Sequence, residues 1–343
     1  MITGGAGFIG SNYVRYALQT HADWNVVVFD KLTYAGNLDN LKDVAQDFKG
    51  RYSFVEGDIA DREAVFAAVK GGPGRGIDLI INFAADTHVD RSLMEPGQFI
   101  MTDVYGTYVL LEAAKEFHVE RYHQISTDEV YGDLEAGGRA NEQTTVLRPS
   151  SPYSASKTGG DLMCFAYHRS FGVPVTVSRG SNNIGPYQYP EKVVPLFITN
   201  AIDDIPLPLY GDGQQQRDYQ YVLDHCEGID AVIGKGTLGE AYNIGSGVET
   251  RNLDMIQAIL DLLGKPRSLI QPVTDRPGHD RRYAIDHAKM ETLGWHSSHT
   301  FAQAMEKTVK WYVDNEWWWR KTKGGADYQA YYRKQYAGRE VVK

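Results

Sequence analysis

The amino-acid sequence predicts an α/β protein, a doubly wound parallel sheet with a smaller C-terminal α/β portion that binds substrate. Three observations carry this reading. Short, nearly continuous apolar runs alternate with longer stretches of helical spacing through the first half. A glycine-rich turn stands between the first strand and the first helix. Beyond about residue 180 the alternation loosens and prolines cluster. The larger unit is therefore expected over residues 1–178 and the smaller over 179–343, with some strands or helices returning to the first.

The first strand is short. Only Met1, Ile2 and Thr3 precede GGAGFIG, where a central strand ordinarily runs about five or six residues. Either residues are missing upstream or the strand is truncated. The next strands are expected at NVVVFD (25–30), YSFVEGD (52–58), IDLIINFAA (77–85), RYHQIS (121–126) and VPVTVSR (173–179). Between them REAVFAAVK, GTYVLLEAAKEF and SKTGGDLMCFAYHRSF carry helical spacing. Near the end, WYVDNEWWWRKTKGGADYQAYYRKQY is crowded with aromatic and basic residues. It reads as a helix that packs by its aromatics and then frays, with subunit contact as an alternative role.

Bulk composition narrows the function classes. The chain has 343 residues, 42% of them hydrophobic, enough for a sizeable core. A net charge of −9 recommends neither nucleic acid nor an anionic membrane as partner, and no apolar run reaches the length of a membrane span. No signal peptide is expected ahead of the first motif. Two cysteines, Cys164 and Cys226, offer neither a disulfide framework nor a cysteine-rich metal site, which favours a reducing cytoplasm. Ten histidines without zinc-like spacing give no metal site.

TGGAGFIGS sets Gly4, Gly7 and Gly10 three residues apart at a strand-to-helix turn. Glycines there allow a tight turn and close backbone approach to a pyrophosphate at the helix N-terminus, as in a Rossmann-type dinucleotide site. Asp30 ends the next strand, where a carboxylate accepts from the adenosine ribose hydroxyls and repels a 2′-phosphate. NAD is thus favoured over NADP, although Lys31 next door tempers the preference. Asp58, after the third strand, is a candidate adenine contact. The remaining candidate cofactor contacts follow the same strand ends: Phe8 and Ile9, then Thr33, then Ile59, then Ala84, Ala85 and Thr87.

YSASK places Tyr153 and Lys157 four residues apart on one helix face. A lysine cation beside a phenol favours phenolate and can also hold the nicotinamide ribose. Ser126 and Thr127 end a strand about thirty residues earlier, where doubly wound sheets bind ligands, and Thr127 can donate to the same substrate oxygen. Asp128 and Glu129 follow at once. A hydride-transfer enzyme needs one base for a hydroxyl proton, so two more acids imply further proton transfers.

With these residues the chain resembles the extended short-chain dehydrogenase/reductases, the NAD-dependent epimerase/dehydratase family, and within it the 4,6-dehydratases of dTDP-glucose. The similarity runs over nearly the whole length, through GGAGFIGS, DKLTYAGNL, HVDRS, STDEVYG, PSSPYSASK, LYGDG and DRPGHD. Family members that epimerise or decarboxylate share the glycine loop and YxxxK but usually lack the adjacent acids. The resemblance implies that Tyr153 takes the C4 hydroxyl proton while hydride passes to NAD. It further implies that Glu129 removes the C5 proton, that Asp128 protonates the departing C6 hydroxyl, and that hydride returns to C6. For those tasks to divide, Asp128 should be protonated and Glu129 ionised.

By the same similarity Lys192, Arg217, Arg276 and His279 line a sugar-nucleotide site, with cations gripping its phosphates. Asn182, Asn252, Pro208 and Tyr210 match positions that contact phosphates or base. His88 either lines the glucosyl pocket or is structural. The chain departs from the family at Asp103, where relatives usually carry Asn, and at Gly180 and Ile184, which bear on dTDP against UDP. The family is usually homodimeric through helices near 98–117 and 152–170. Competing readings are a UDP-sugar 4,6-dehydratase, an epimerase or decarboxylase of the same superfamily, and a non-catalytic NAD-binding regulator.

Overall fold

A parallel strand covered on both faces must be apolar at nearly every position, and Val26–Asp30 and Val175–Gly180 are buried throughout. In the computed structural model, which describes residues 1–71, 76–276, 278–336 and 341, such strands form the central layer. The first half supplies β1 (Ile2–Thr3), β2 (Val26–Asp30), β3 (Tyr52–Glu56), β4 (Leu79–Asn82), β5 (Arg121–Thr127) and β6 (Val175–Gly180). The second half supplies β7 (Asn182–Ile184), β8 (Leu207–Tyr210), β9 (Gln216–Tyr221), β10 (Ala241–Ile244), β11 (Glu249–Arg251) and β12 (Ile270–Val273).

Seven of these make one sheet in the order β10-β6-β5-β4-β1-β2-β3, with every pairing parallel. The order reverses at β1, which lies between β2 and β4 through Ile2 opposite Val28 and Ile81. That reversal opens a crevice at the carboxyl ends of β1 and β4. β1 holds only two residues, yet both are buried and paired on each side. β10 comes from beyond residue 180 and extends the main sheet beside β6. The remaining strands pair as β11-β9-β7 and β12-β8.

Helices cover both faces. Phe8–Thr20 and Val222–Lys235 pack on one side around Tyr13, Val14, Val28 and Ile229. Arg62–Lys70, Thr107–Glu116 and Pro152–Phe171 pack on the other around Val65, Leu110 and Val177. Asp61 caps the first of these by accepting from Glu63 and Ala64 N–H, so REAVFAAVK is helical over its whole length. The last begins earlier than the sequence spacing suggests. Ser151 and Ser154 form a capping box and Pro152 occupies the first turn.

A third core, in the smaller portion, gathers Phe197, Ile256, Ile259, Met305, Trp318 and Trp319. Here the structure departs from the expected single fraying helix. The chain forms three helices, Phe301–Asp314, Glu316–Gly324 and Ala326–Tyr336. Trp318 is buried and donates through Nε1 to Asn40 Oδ1 at 2.8 Å, which ties this end to the first half.

Candidate active site

Two cavities meet at the carboxyl edge of the sheet. The larger encloses about 290 Å³ and runs from the glycine loop to the end of β6. Its first end is built by backbone geometry. Gly4 has φ +63°, and a Cβ there would stand 2.6 Å from Ala84 N; one on Gly10 would stand 2.3 Å from Gly4 O. With both positions bare, the helix Phe8–Thr20 starts against the turn and points its N-terminus into the cavity.

Every cofactor candidate read from the sequence lines this cavity: Gly4, Gly7, Phe8, Ile9 and Gly10 from the turn, Asp30, Lys31 and Thr33 after β2, Asp58 and Ile59 after β3, and Ala84, Ala85 and Thr87 after β4. Asp30 accepts from Ala6 N–H at 2.9 Å and Leu32 N–H at 2.8 Å, and burial pushes its carboxyl up despite both bonds. Lys31 is paired with Asp58 at 2.6 Å, so its charge is already answered and offers less to a 2′-phosphate. At the other end the buried atoms Ser126 Oγ, Ser181 Oγ, Asn182 Oδ1, Asn183 Oδ1 and His225 Nδ1 have no hydrogen-bond partner among the described residues, and all five residues line the cavity. Buried polar atoms in such numbers call for a polar ligand. The donor and acceptor set fits a dinucleotide with a carboxamide-bearing head.

Thr127, Glu129, Tyr153 and Lys157 line the same end of the cavity. The capped helix Pro152–Phe171 sets Tyr153 and Lys157 on its inner face, and Lys157 Nζ donates to Ile125 O at 2.7 Å. The Thr127 hydroxyl is hydrogen-bonded with the Tyr153 phenol and opposes its rise, yet Tyr153 is held well above the usual tyrosine range. Burial is the main cause, followed by Glu129 and Asp103. The phenol is therefore neutral in this state, the reverse of what a neighbouring lysine alone would impose.

Asp128 lies outside both cavity walls. It is buried, Thr127 Oγ donates to its Oδ1 at 3.3 Å, and its Oδ2 has no partner among the described residues. Burial, then the neighbouring Glu129, then Asp218 push its carboxyl well up. Glu129 is also raised by burial, but Arg276, Arg217 and Lys192 pull against that rise. The two acids thus sit in environments that separate them, with Asp128 held in the neutral form.

The second cavity, about 180 Å³, contains all nine residues assigned to the sugar nucleotide: His88, Asn182, Lys192, Pro208, Tyr210, Arg217, Asn252, Arg276 and His279. Thr87, Glu129, Asn182, Glu191 and Lys192 line both cavities and mark their junction. Arg217 donates to the carbonyls of Gln216 and Asp280, and its guanidinium lies 4.1 Å over the Tyr283 ring. Arg276 reaches Asp90 at 3.3 Å and leaves its buried Nε without a partner among the described residues. Lys192 donates to Thr87 O. Burial, with Arg276 and Arg217 adding, lowers His279 to about 4, so it is neutral near pH 7. His88 is buried, contacts Glu191 O at 3.5 Å, and is held neutral by burial and by Lys192.

Several lining residues escaped the sequence reading. Glu191 is adjacent to Lys192 and joined to Arg91 through two bonds of 3.0 and 2.9 Å. Asp86, Gln98 and Thr102 line the first cavity, and Asp90, Tyr219, Tyr283 and Tyr336 the second. Tyr283 stands three residues beyond the quoted DRPGHD, and Tyr336 closes the quoted aromatic stretch without a signal that singles it out.

The sheet order, the glycine turn and the tyrosine–lysine helix beside the larger cavity define a short-chain dehydrogenase/reductase. The family model described as GDP-mannose 4,6 dehydratase matches residues 1–308, and the chain belongs to this family of NAD-dependent epimerases and dehydratases. Among its relatives, the dTDP-glucose 4,6-dehydratase of Streptomyces antibioticus is 46% identical over 329 residues, covering 94% of this chain and 95% of its own. The dTDP-glucose 4,6-dehydratase of Streptomyces venezuelae, solved with NAD bound, superposes with a TM-score of 0.89 at 45% identity, over 94% of this chain and 99% of that one. A UDP-glucose 4-epimerase from Thermus thermophilus, also solved with NAD, gives 0.84 at 30% identity, over 92% and 98%.

Proposed function

We infer that the chain converts dTDP-glucose to dTDP-4-keto-6-deoxyglucose and water, with NAD regenerated in each turnover. One observation carries the dehydratase reading over the epimerase reading. Two acids, Glu129 and Glu191, line both cavities. Glu191 is committed to Arg91, whereas among the described residues the Glu129 carboxylate accepts only a long 3.4 Å bond from the Tyr283 hydroxyl. A carboxylate left open at the junction of cofactor and sugar is suited to removing a carbon-bound proton, a step that C4 epimerisation does not contain.

The residues divide the work as follows. Arg217, Arg276 and Lys192 hold the diphosphate, and Lys157 with Asp30 holds the two cofactor riboses. Tyr153, paired with the Thr127 hydroxyl, handles the C4 hydroxyl proton. NAD, when bound, supplies the chemistry of accepting a hydride from C4 and returning it to C6. The positive charge of a cofactor held by Lys157 would oppose the burial that keeps the Tyr153 phenol neutral. Glu129 takes the C5 proton made acidic by the C4 ketone. Asp128, kept protonated, gives its proton to the C6 hydroxyl as it leaves, which requires its side chain to turn toward Glu129.

The two cysteines are free and buried, consistent with a reducing cytoplasm, and no described helix is long and apolar enough to cross a membrane. The protein acts as a homodimer in this reading. Ile100, Met101 and Tyr105 are exposed on Ile100–Gly106, and Leu162 and Phe171 on Pro152–Phe171.

Incubation with dTDP-glucose and, in parallel, UDP-glucose, without added NAD, tests the assignment by mass spectrometry. Loss of water from the dTDP sugar is expected. Loss from the UDP sugar alone would keep the chemistry and overturn the base; a mass unchanged in both, even with NAD added, would overturn the dehydratase.

A further inference from the structure

Arg179 lies in β6 between Ser126 of β5 and Asn243 of β10, and it lines neither cavity. Its buried side chain holds two elements of the active site at once. Nε donates to Asp161 Oδ2 at 2.9 Å, and a terminal nitrogen donates to the Tyr131 hydroxyl at 2.8 Å. Asp161 is buried in the helix Pro152–Phe171, and Tyr131 ends the short turn Asp128–Tyr131.

Both partners stand in a fixed relation to the reacting groups. Tyr153, Lys157 and Asp161 follow one another at intervals of four residues, so they share one face of the helix. Tyr131 comes two residues after Glu129 in a turn with little slack. The Thr127 hydroxyl accepts from Glu129 N–H at 3.3 Å, and Gly132 N–H donates to Glu129 O at 3.2 Å. Gly132 leaves the turn at φ +74°, where a Cβ would collide with Arg148 O. The Tyr131 hydroxyl gives its proton to Asn243 Oδ1 at 2.8 Å while accepting from Arg179. Asn243 in turn donates through Nδ2 to Ala140 O and Asp286 O, each at 3.0 Å. The phenol that closes the acid-bearing turn is thereby fixed by a buried, connected network.

We propose that Arg179 is a positioning residue that holds the two halves of the reaction in register, the Tyr153–Lys157 helix through Asp161 and the Asp128–Glu129 turn through Tyr131. The inference rests on the dehydratase reading of the site. A buried ion pair is often no more stabilising than an apolar pair of the same volume, but a guanidinium fork fixes direction as well as distance. Direction is what this reaction needs. Each proton transfer requires its groups within hydrogen-bond reach, and a displacement of about 1 Å can cost about 10²-fold in rate. The two links leave the guanidinium by different nitrogens, so they can be cut separately. Cutting the Tyr131 link loosens the acids alone; cutting the Asp161 link loosens the oxidising pair. Neither Tyr131 nor Asp161 lines a cavity, so substrate affinity is spared.

The test is single turnover of the NAD-loaded full chain on dTDP-glucose, for wild type, Tyr131→Phe, Asp161→Asn and Arg179→Lys. Reduced cofactor is read by absorbance and loss of water by mass spectrometry of quenched samples. Tyr131→Phe should slow elimination by about tenfold or more while C4 oxidation stays near the wild-type rate, so reduced cofactor accumulates. Asp161→Asn should slow oxidation by a similar factor, with no accumulation. Arg179→Lys keeps the charge but loses the fork, and should slow both steps. KM should stay near the wild-type value in Tyr131→Phe and Asp161→Asn. Should Asp161→Asn not fold, Tyr131→Phe and Arg179→Lys decide. Wild-type elimination in Tyr131→Phe overturns the inference, as does equal slowing of both steps in that variant or wild-type rates in Arg179→Lys. Wild type that releases no water overturns instead the dehydratase reading on which the inference rests.

Discussion

At Glu129 burial pushes the carboxyl up while three cations pull it down, and the balance leaves a base stronger than an exposed glutamate. Replacing it by Gln keeps the shape and removes the base. Glu129→Gln should still oxidise C4, so reduced cofactor accumulates in its absorbance band, while water elimination falls by about 10²-fold or more. Turnover at the wild-type rate would sink the assignment of Glu129 as the C5 base. Lys157→Ala acts earlier: with its bond to Ile125 O gone, cofactor binding and the first oxidation should weaken together, read as bound NAD per chain and as single-turnover rate. At this scale the sequence was informative about identity and silent about state. Thr127, Tyr153 and Lys157 were legible because their spacing along a strand end and one helix face is local. The protonation of Tyr153 was not, because burial is a product of the whole fold.

Among the elements, the turn Ile100–Gly106 is π-helical and leads into the helix Thr107–Glu116. It carries Asp103, a buried carboxylate that accepts from Ser156 Oγ at 2.5 Å and from Asp86 N–H at 3.3 Å. Burial raises Asp103 from 3.8 to about 7, against the opposing pull of Lys157. The folded state therefore keeps a proton that the unfolded chain releases above its own lower pKa. Stability is greatest below the unfolded value, falls as pH rises from about 4 to about 7, and is then fully diminished, by up to about 4 kcal/mol. Asp103→Asn removes this dependence. Its melting temperature relative to wild type should rise between about pH 5 and about pH 8; a constant difference across that range would contradict a buried titrating Asp103. Most elements of the main sheet were readable as apolar runs, since β2, β5 and β6 are covered on both faces. The three-helix C-terminal end was not. Its register depends on Trp318 meeting Asn40 and Gln335 meeting Asp90, partners hundreds of residues away.

For the whole molecule, Ile100, Met101 and Tyr105 are exposed on the turn Ile100–Gly106, Leu162 and Phe171 are exposed on Pro152–Phe171, and these two elements pack against each other. Large apolar side chains grouped this way favour a partner surface. Wild type should sediment as a dimer, and Met101→Glu combined with Leu162→Glu should shift it to monomer in light scattering, with the secondary structure unchanged. A monomeric wild type would remove the proposal. The same helices carry Tyr153 and Lys157, so a monomeric variant should also lose part of its activity.

The central claim is that one chain oxidises C4, eliminates water and returns the same hydride to C6. The most direct measurement follows deuterium from C4 of labelled dTDP-glucose into the product by mass spectrometry and NMR. The account predicts a product one water lighter that keeps the deuterium, now on C6, with a solvent proton at C5. Deuterium found still at C4 of an epimer that has lost no water, or lost to the medium, would contradict it.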